Sequence, residues 1–145
     1  MEKSKFQLGN DVTKVLSSKF KENLISVILF GSHATSLSQK YSDIDLLVIA
    51  KNLPAGWREK NNLAISLAME IEDKINKAVD LVLLTLRELD NATLNLSPLI
   101  LSIFEKYTVL YGKDVIAEEK ENLRKFFIIK KISKLAWQFK PLENV

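Results

Sequence analysis

No cysteine occurs among the 145 residues, and histidine occurs once, as His33. Without thiols there is no disulfide framework, no thiolate zinc site and no cysteine nucleophile, and one imidazole cannot build a histidine-rich metal centre. Any metal must then be held by oxygen, the donor chemistry of hard cations such as magnesium. The chain also lacks a window of about 18 uncharged apolar residues able to span a bilayer. Its opening stretch, MEKSKFQLGN, has no apolar run of the secretory type. A soluble, cytoplasmic protein is expected. No internal repeat or low-complexity segment stands out.

What is present is enough for one core: 47% of the residues are hydrophobic. The formal charge of +3 sits in the tail. Acids and bases balance up to Gly112, whereas Lys113, Lys120, Arg124, Lys125, Lys130, Lys131, Lys134 and Lys140 follow against five acids. These cations alternate with apolar residues at helical spacing, so they read as a solvated helix face rather than a nucleic-acid surface.

Periodicity lays out an alternation of helices and strands. Asn10 or Asp11 would cap a first helix to about Lys21, with Val12, Val15, Leu16 and Phe20 on its apolar side. LISVILF, Leu24 to Phe30, reads as a strand closed by Gly31. DIDLLVIA, Asp43 to Ala50, reads as a second. Leu63, Leu67, Ile71 and Ile75 recur every four residues in a long helix from Trp57 to about Lys77. AVDLVLL, Ala78 to Leu84, is a third strand. Thr85 with Glu88 forms a capping-box pattern, and Ser97 with Pro98 opens another short helix to about Lys106. YTVLYG, Tyr107 to Gly112, is an edge strand, and a last helix begins near Asp114. The expected fold is α/β, a small mixed sheet with helices packed on it. Residues 1–112 would form the main domain, with 113–145 a helical extension that packs back on it or docks a partner.

Three carboxylates break the apolar pattern. Asp43 and Asp45 open the second strand two residues apart, hence on one face. Asp80 stands inside the third strand among apolar neighbours. Leaving such charges unpaired would cost several kcal/mol, which nearby positive charge must offset. The second strand, long helix and third strand form a βαβ unit, so those strands should be parallel, with all three acids at one end. An antiparallel first strand would bring the Gly31–Ser32 loop to the same rim. There Gly31 permits close backbone approach, Ser32 supplies a hydroxyl, and a helix starting at Ala34 to Leu37 would direct free N–H groups at an anion. Clustered acids beside such a loop point to a metal site next to a phosphate site. A polar strand entrance, with Asp80 paired to a lysine, is the alternative.

GSHATSLSQKYSDIDLLV followed by VDLVLL resembles the nucleotidyltransferase superfamily that includes DNA polymerase beta, and specifically its minimal nucleotidyltransferases. The resemblance runs from about Leu24 to Leu84, with a weaker likeness through SPLILSIFEKYTVLYG. It matches Gly31 and Ser32 to a phosphate-gripping pair, Asp43 and Asp45 to paired metal ligands, and Asp80 to the third carboxylate; Ser42 joins the nucleotide-binding set. Many members carry glycine where this chain has Ser36, and often arginine at His33 or Thr35. His33 is left outside the catalytic set.

What the resemblance implies is transfer of a nucleoside monophosphate, AMP from ATP, to a hydroxyl, with two magnesium ions held by the three aspartates. Minimal nucleotidyltransferases are often antitoxins that adenylylate a tyrosine of a HEPN-type toxin, and that is the leading expectation for the partner. Modification of a small molecule such as an aminoglycoside, or of an RNA end, is the competing enzymatic reading. A non-catalytic nucleotide- or toxin-binding module is the third. Homo-oligomers are compatible with all three.

Overall fold

The protein is described here by a computed structural model covering residues 4–33 and 43–143, with side chains described except at 33 and from 132 onward. The chain divides into two compact units, residues 1–114 and 115–145. The first holds the whole sheet.

Helix α1, Lys5–Phe20, is capped by Ser4, whose Oγ accepts from the backbone N–H of Gln7 at 3.1 Å. It starts earlier than the Asn10 or Asp11 cap expected from sequence. The start is set locally by Ser4, followed three residues later by Gln7 in the spacing of a capping box; Gly9 is buried within the helix, in ordinary contact range of Leu110. Strand β1, Leu24–Phe30, follows a short turn, and β2 is Ile44–Ala50. Helix α2, Trp57–Ile75, ends where Asn76 adopts the left-handed conformation with φ 56°. Its cap N–H donates to the Glu72 carbonyl, a standard helix stop.

Strand β3 is Val79–Leu84, α3 is Leu86–Leu94, α4 is Pro98–Glu105 and β4 is Tyr107–Gly112. The capping box read from Thr85 and Glu88 is formed in both directions, at 3.2 and 3.0 Å. Helix α5, Val115–Glu143, makes up the second unit. Within it Phe126, Phe127, Ile128 and Ile129 are exposed.

The four strands form one sheet in the order β3-β2-β1-β4. β1 pairs antiparallel with both β2 and β4, whereas β2 and β3 are parallel, as a βαβ crossover through α2 requires. This is the small mixed α/β sheet expected. One face carries Val27, Leu29, Leu46, Val48, Leu81 and Leu83, packed on the apolar sides of α1 and α2. Ser26, buried on β1, donates its hydroxyl to the Lys113 carbonyl at 2.8 Å, tying β1 to the segment that follows β4. Among the described residues no helix is long and apolar enough to cross a membrane.

Candidate active site

Strand register, rather than sequence distance, assembles the site. Residues two apart on a strand share a face, and residues opposite each other in a parallel pair also do. Asp45 on β2 stands directly opposite Asp80 on β3, although 35 positions separate them in the chain. Asp43 precedes β2 by one residue and is exposed, Asp45 is half-buried, and Asp80 is exposed. The Asp45–Asp80 pair lies on the sheet face opposite Leu46 and Leu81, which belong to the main core. Carboxylates at the start of both strands are affordable because Asp80 is exposed and Asp45 half-buried there, although Leu47 and Ile49 further along the same face of β2 are fully buried.

β1 delivers the loop from the other side. Phe30 pairs with Asp45, so Gly31, the next residue, arrives beside the Asp45 side chain. Gly31 has φ +74°, a conformation that side chains disfavour. A Cβ there would run into Asp45 Oδ2 and lie 3.3 Å from Cγ. Glycine is thus required twice, for the turn and for the room it leaves the carboxylate. Ser32 is exposed in the one-turn 3₁₀ segment Gly31–His33. Ser42, Thr35, Ser36 and the expected helical start at Ala34 to Leu37 lie outside the described residues.

Asp45 therefore stands between Gly31 on its β1 side and Asp80 on its β3 side. The donor set is all oxygen, which suits a hard divalent cation. Among the described residues, however, no three acidic or imidazole side chains stand close enough together to coordinate one ion. Asp45 and Asp80 stand opposite each other in register, with Asp43 one residue before β2 on the same rim.

The sequence did not single out the surroundings of Asp80. A groove of about 300 Å³ runs along the outer edge of β3, from Asp80 past Leu83 to Trp57, Lys60 and Asn61 on α2. Lys60 forms an ion pair with Glu88. Burial would push the Glu88 carboxyl up, but hydrogen bonds from Lys60 and the Thr85 N–H, and the Lys60 charge, outweigh it and hold it below its ordinary value. Trp57, at the start of α2, is 76% exposed and is the aromatic residue in the groove lining.

Residues 10–116 match the family model described as polymerase beta, nucleotidyltransferase. A Methanocaldococcus jannaschii protein named provisionally as a protein adenylyltransferase is 38% identical over 96 residues, which is 66% of this chain and 64% of that protein. The match thus spans just under two thirds of that relative's length. Among solved structures, a chain from the Shewanella oneidensis complex of tri-AMPylated HEPN toxin with MNT antitoxin superposes with a TM-score of 0.54 at 20% identity, covering 97% of each chain. Spectinomycin adenyltransferase AAD(9) from Enterococcus faecialis, with ATP and spectinomycin, gives 0.56 at 18% identity over 78% of this chain and 58% of that one. At these identities the superpositions establish the shared fold.

Proposed function

The chain belongs to the polymerase beta nucleotidyltransferase family, and on that footing we propose that it is a metal-dependent adenylyltransferase moving AMP from ATP to a protein hydroxyl, acting in the cytoplasm. The observation that carries the proposal is the placement of Asp45 between Gly31 and Asp80. A phosphate-binding turn and a pair of carboxylates meet at one point of the sheet rim, as nucleotide transfer needs.

Asp43, Asp45 and Asp80 would hold divalent cations, whose chemistry when bound is to neutralise charge on the entering and departing oxygens. The chain's own residues do the rest. Gly31 and Ser32, with Ser42, grip the triphosphate, the turn offering backbone N–H groups and hydroxyls without a Cβ in the way. Asp80, on the far side of Asp45, lies beside the entering hydroxyl and assists removal of its proton. The hydroxyl oxygen bonds to the α-phosphorus as the bond to the β-phosphate bridge breaks, and pyrophosphate leaves with that electron pair. Such a reaction is mostly positioning and charge neutralisation, which fits a site on rigid strand starts.

For the acceptor we propose a tyrosine of a small helical toxin of the HEPN type, making this chain its antitoxin. Support comes from the name of the archaeal relative and from the toxin complex whose chain shares the fold. A small-molecule acceptor is the second reading, favoured by the fold shared with the spectinomycin enzyme.

The test is transfer of α-phosphate label from ATP with magnesium in an extract of the source cells, wild type beside Asp45→Asn. Label on one small protein, lost in the variant, is expected. Label on a metabolite or RNA would replace the acceptor, and magnesium-dependent ATP binding without any transfer would reduce the protein to a binding module.

A further inference from the structure

The two sides of Asp45 are not equivalent, and this gives the reaction a direction. If Gly31 and Ser32 hold the phosphates that depart, the leaving group lies on the β1 side of Asp45. In an in-line displacement the entering oxygen comes from the opposite side of the phosphorus. That is the β3 side, where Asp80 stands and where the groove begins.

β3 is an outer strand of the sheet. The Ala78 carbonyl accepts from the Ile44 N–H at 2.9 Å, so by alternation the even-numbered residues of β3 turn their backbone groups towards β2. Val79, Leu81 and Leu83 then turn theirs outward. At the strand start the outward Val79 N–H is taken by Glu72 Oε1 at 2.9 Å. Leu81 and Leu83 direct N–H and C=O groups into the groove. An outer strand with such groups is a template for one more strand.

Charge narrows the occupant. Among the described residues lining the groove, Lys60 is the one cation, and it is paired with Glu88. Asp80 marks the other end with a negative charge. A polyanion such as RNA finds no basic stripe along this path, whereas an extended polypeptide finds backbone partners and an aromatic wall.

Resting on the adenylyltransferase reading above, we propose that the acceptor protein presents its hydroxyl from an extended segment that adds to the outer edge of β3, with Trp57 as the anchor at the distal end. α2 runs antiparallel to β3: Glu72 near its end bonds the start of β3, and Lys60 near its beginning pairs with Glu88 beyond the end of β3. Trp57 therefore lies towards Leu84, four residues and roughly 13 Å along the strand from Asp80 at about 3.3 Å per residue. Asp80 lies on the sheet face away from α2 and Trp57 belongs to α2, so the modified residue and the one contacting Trp57 point to opposite sides of the extended segment and stand an odd number of residues apart, three or five at this distance.

The probe is a pool of short unstructured peptides, each with one central tyrosine among randomised residues, given with α-labelled ATP and magnesium. Wild type should label the pool, and labelled peptides should be enriched in a large apolar residue three or five places from the tyrosine. Trp57→Ala, at an exposed position outside the catalytic set, should raise KM for the pool about tenfold, the scale of losing one aromatic anchor, with Trp57→Phe restoring most of it. Pyrophosphate release to water, without peptide, should be unchanged in both variants. Peptide should also slow amide exchange at Leu81 and Leu83. Unchanged exchange at those two amides overturns the proposal whatever the label shows, as do equal KM values in wild type and Trp57→Ala. If wild type neither releases pyrophosphate nor labels anything, the adenylyltransferase reading itself fails and takes this one with it.

Discussion

Asp45 and Asp80 stand opposite each other in register on the parallel strands β2 and β3. Two carboxylates at that spacing repel unless positive charge is supplied between them, so the pair either costs stability or has a use. The proposed use is to hold a cation beside the Gly31 turn, which is proposed to hold the phosphates.

Asp45→Asn and Asp80→Asn should each reduce AMP transfer on the order of 10³-fold, since losing about 4 kcal/mol of charge stabilisation corresponds to that factor. Both positions lie off the main core face, so the thermal midpoint should hold steady or rise in the absence of magnesium. Single-turnover transfer and thermal melts with and without EDTA check this. Full transfer in either variant sinks the assignment.

Gly31→Ala meets two obstacles at once, the positive φ and the Asp45 carboxylate. The backbone cost is about 1–2 kcal/mol, and the Asp45 side chain must also turn away. Urea denaturation should show that modest loss, while transfer falls far more than stability does. A variant that loses both in proportion would make Gly31 purely structural.

Gly112→Ala offers a contrast at the end of β4. Here φ is +79°, and the added Cβ would collide with the Ile25 carbonyl oxygen and lie 3.0 Å from its carbon. Backbone cannot rotate away as a carboxylate can. The β1–β4 pairing should loosen at a cost above about 2 kcal/mol, seen by denaturation, with protection lost at β4 amides before β2 amides.

Glu88 links the α3 cap to α2. Its carboxyl is held below the ordinary value despite burial, by Lys60 and Thr85. A depressed value means the stabilisation is present above the ordinary glutamate pKa of about 4.3 and is lost as pH falls through the lowered one. Glu88→Gln should flatten the acid limb of the stability profile. Thr85→Ala should cost about 1 kcal/mol at neutral pH through loss of the cap.

Much of the fold was legible because its signals are local. β1 and β4 lie where apolar runs end at Gly31 and Gly112, and the α3 and α4 starts follow Thr85 and Ser97, whose side chains bond backbone N–H groups three residues on. α1 was misplaced because its start signal, Ser4 with Gln7 three residues on, precedes Gly9 and Asn10, whose low helix propensity masked the first turns.

The sequence by itself determined the chemistry available: carboxylate oxygens and no thiols, Asp43 and Asp45 on one strand face, and a glycine-serine turn before them. Those follow from residue types and the two-residue period of a strand. Tertiary structure alone decided that Asp80 faces Asp45, because register between parallel strands depends on how α2 packs back on the sheet. It also decided that β3 is an outer strand, since strand order is set by which apolar faces bury together. From that order come the open edge and the groove ending at Trp57.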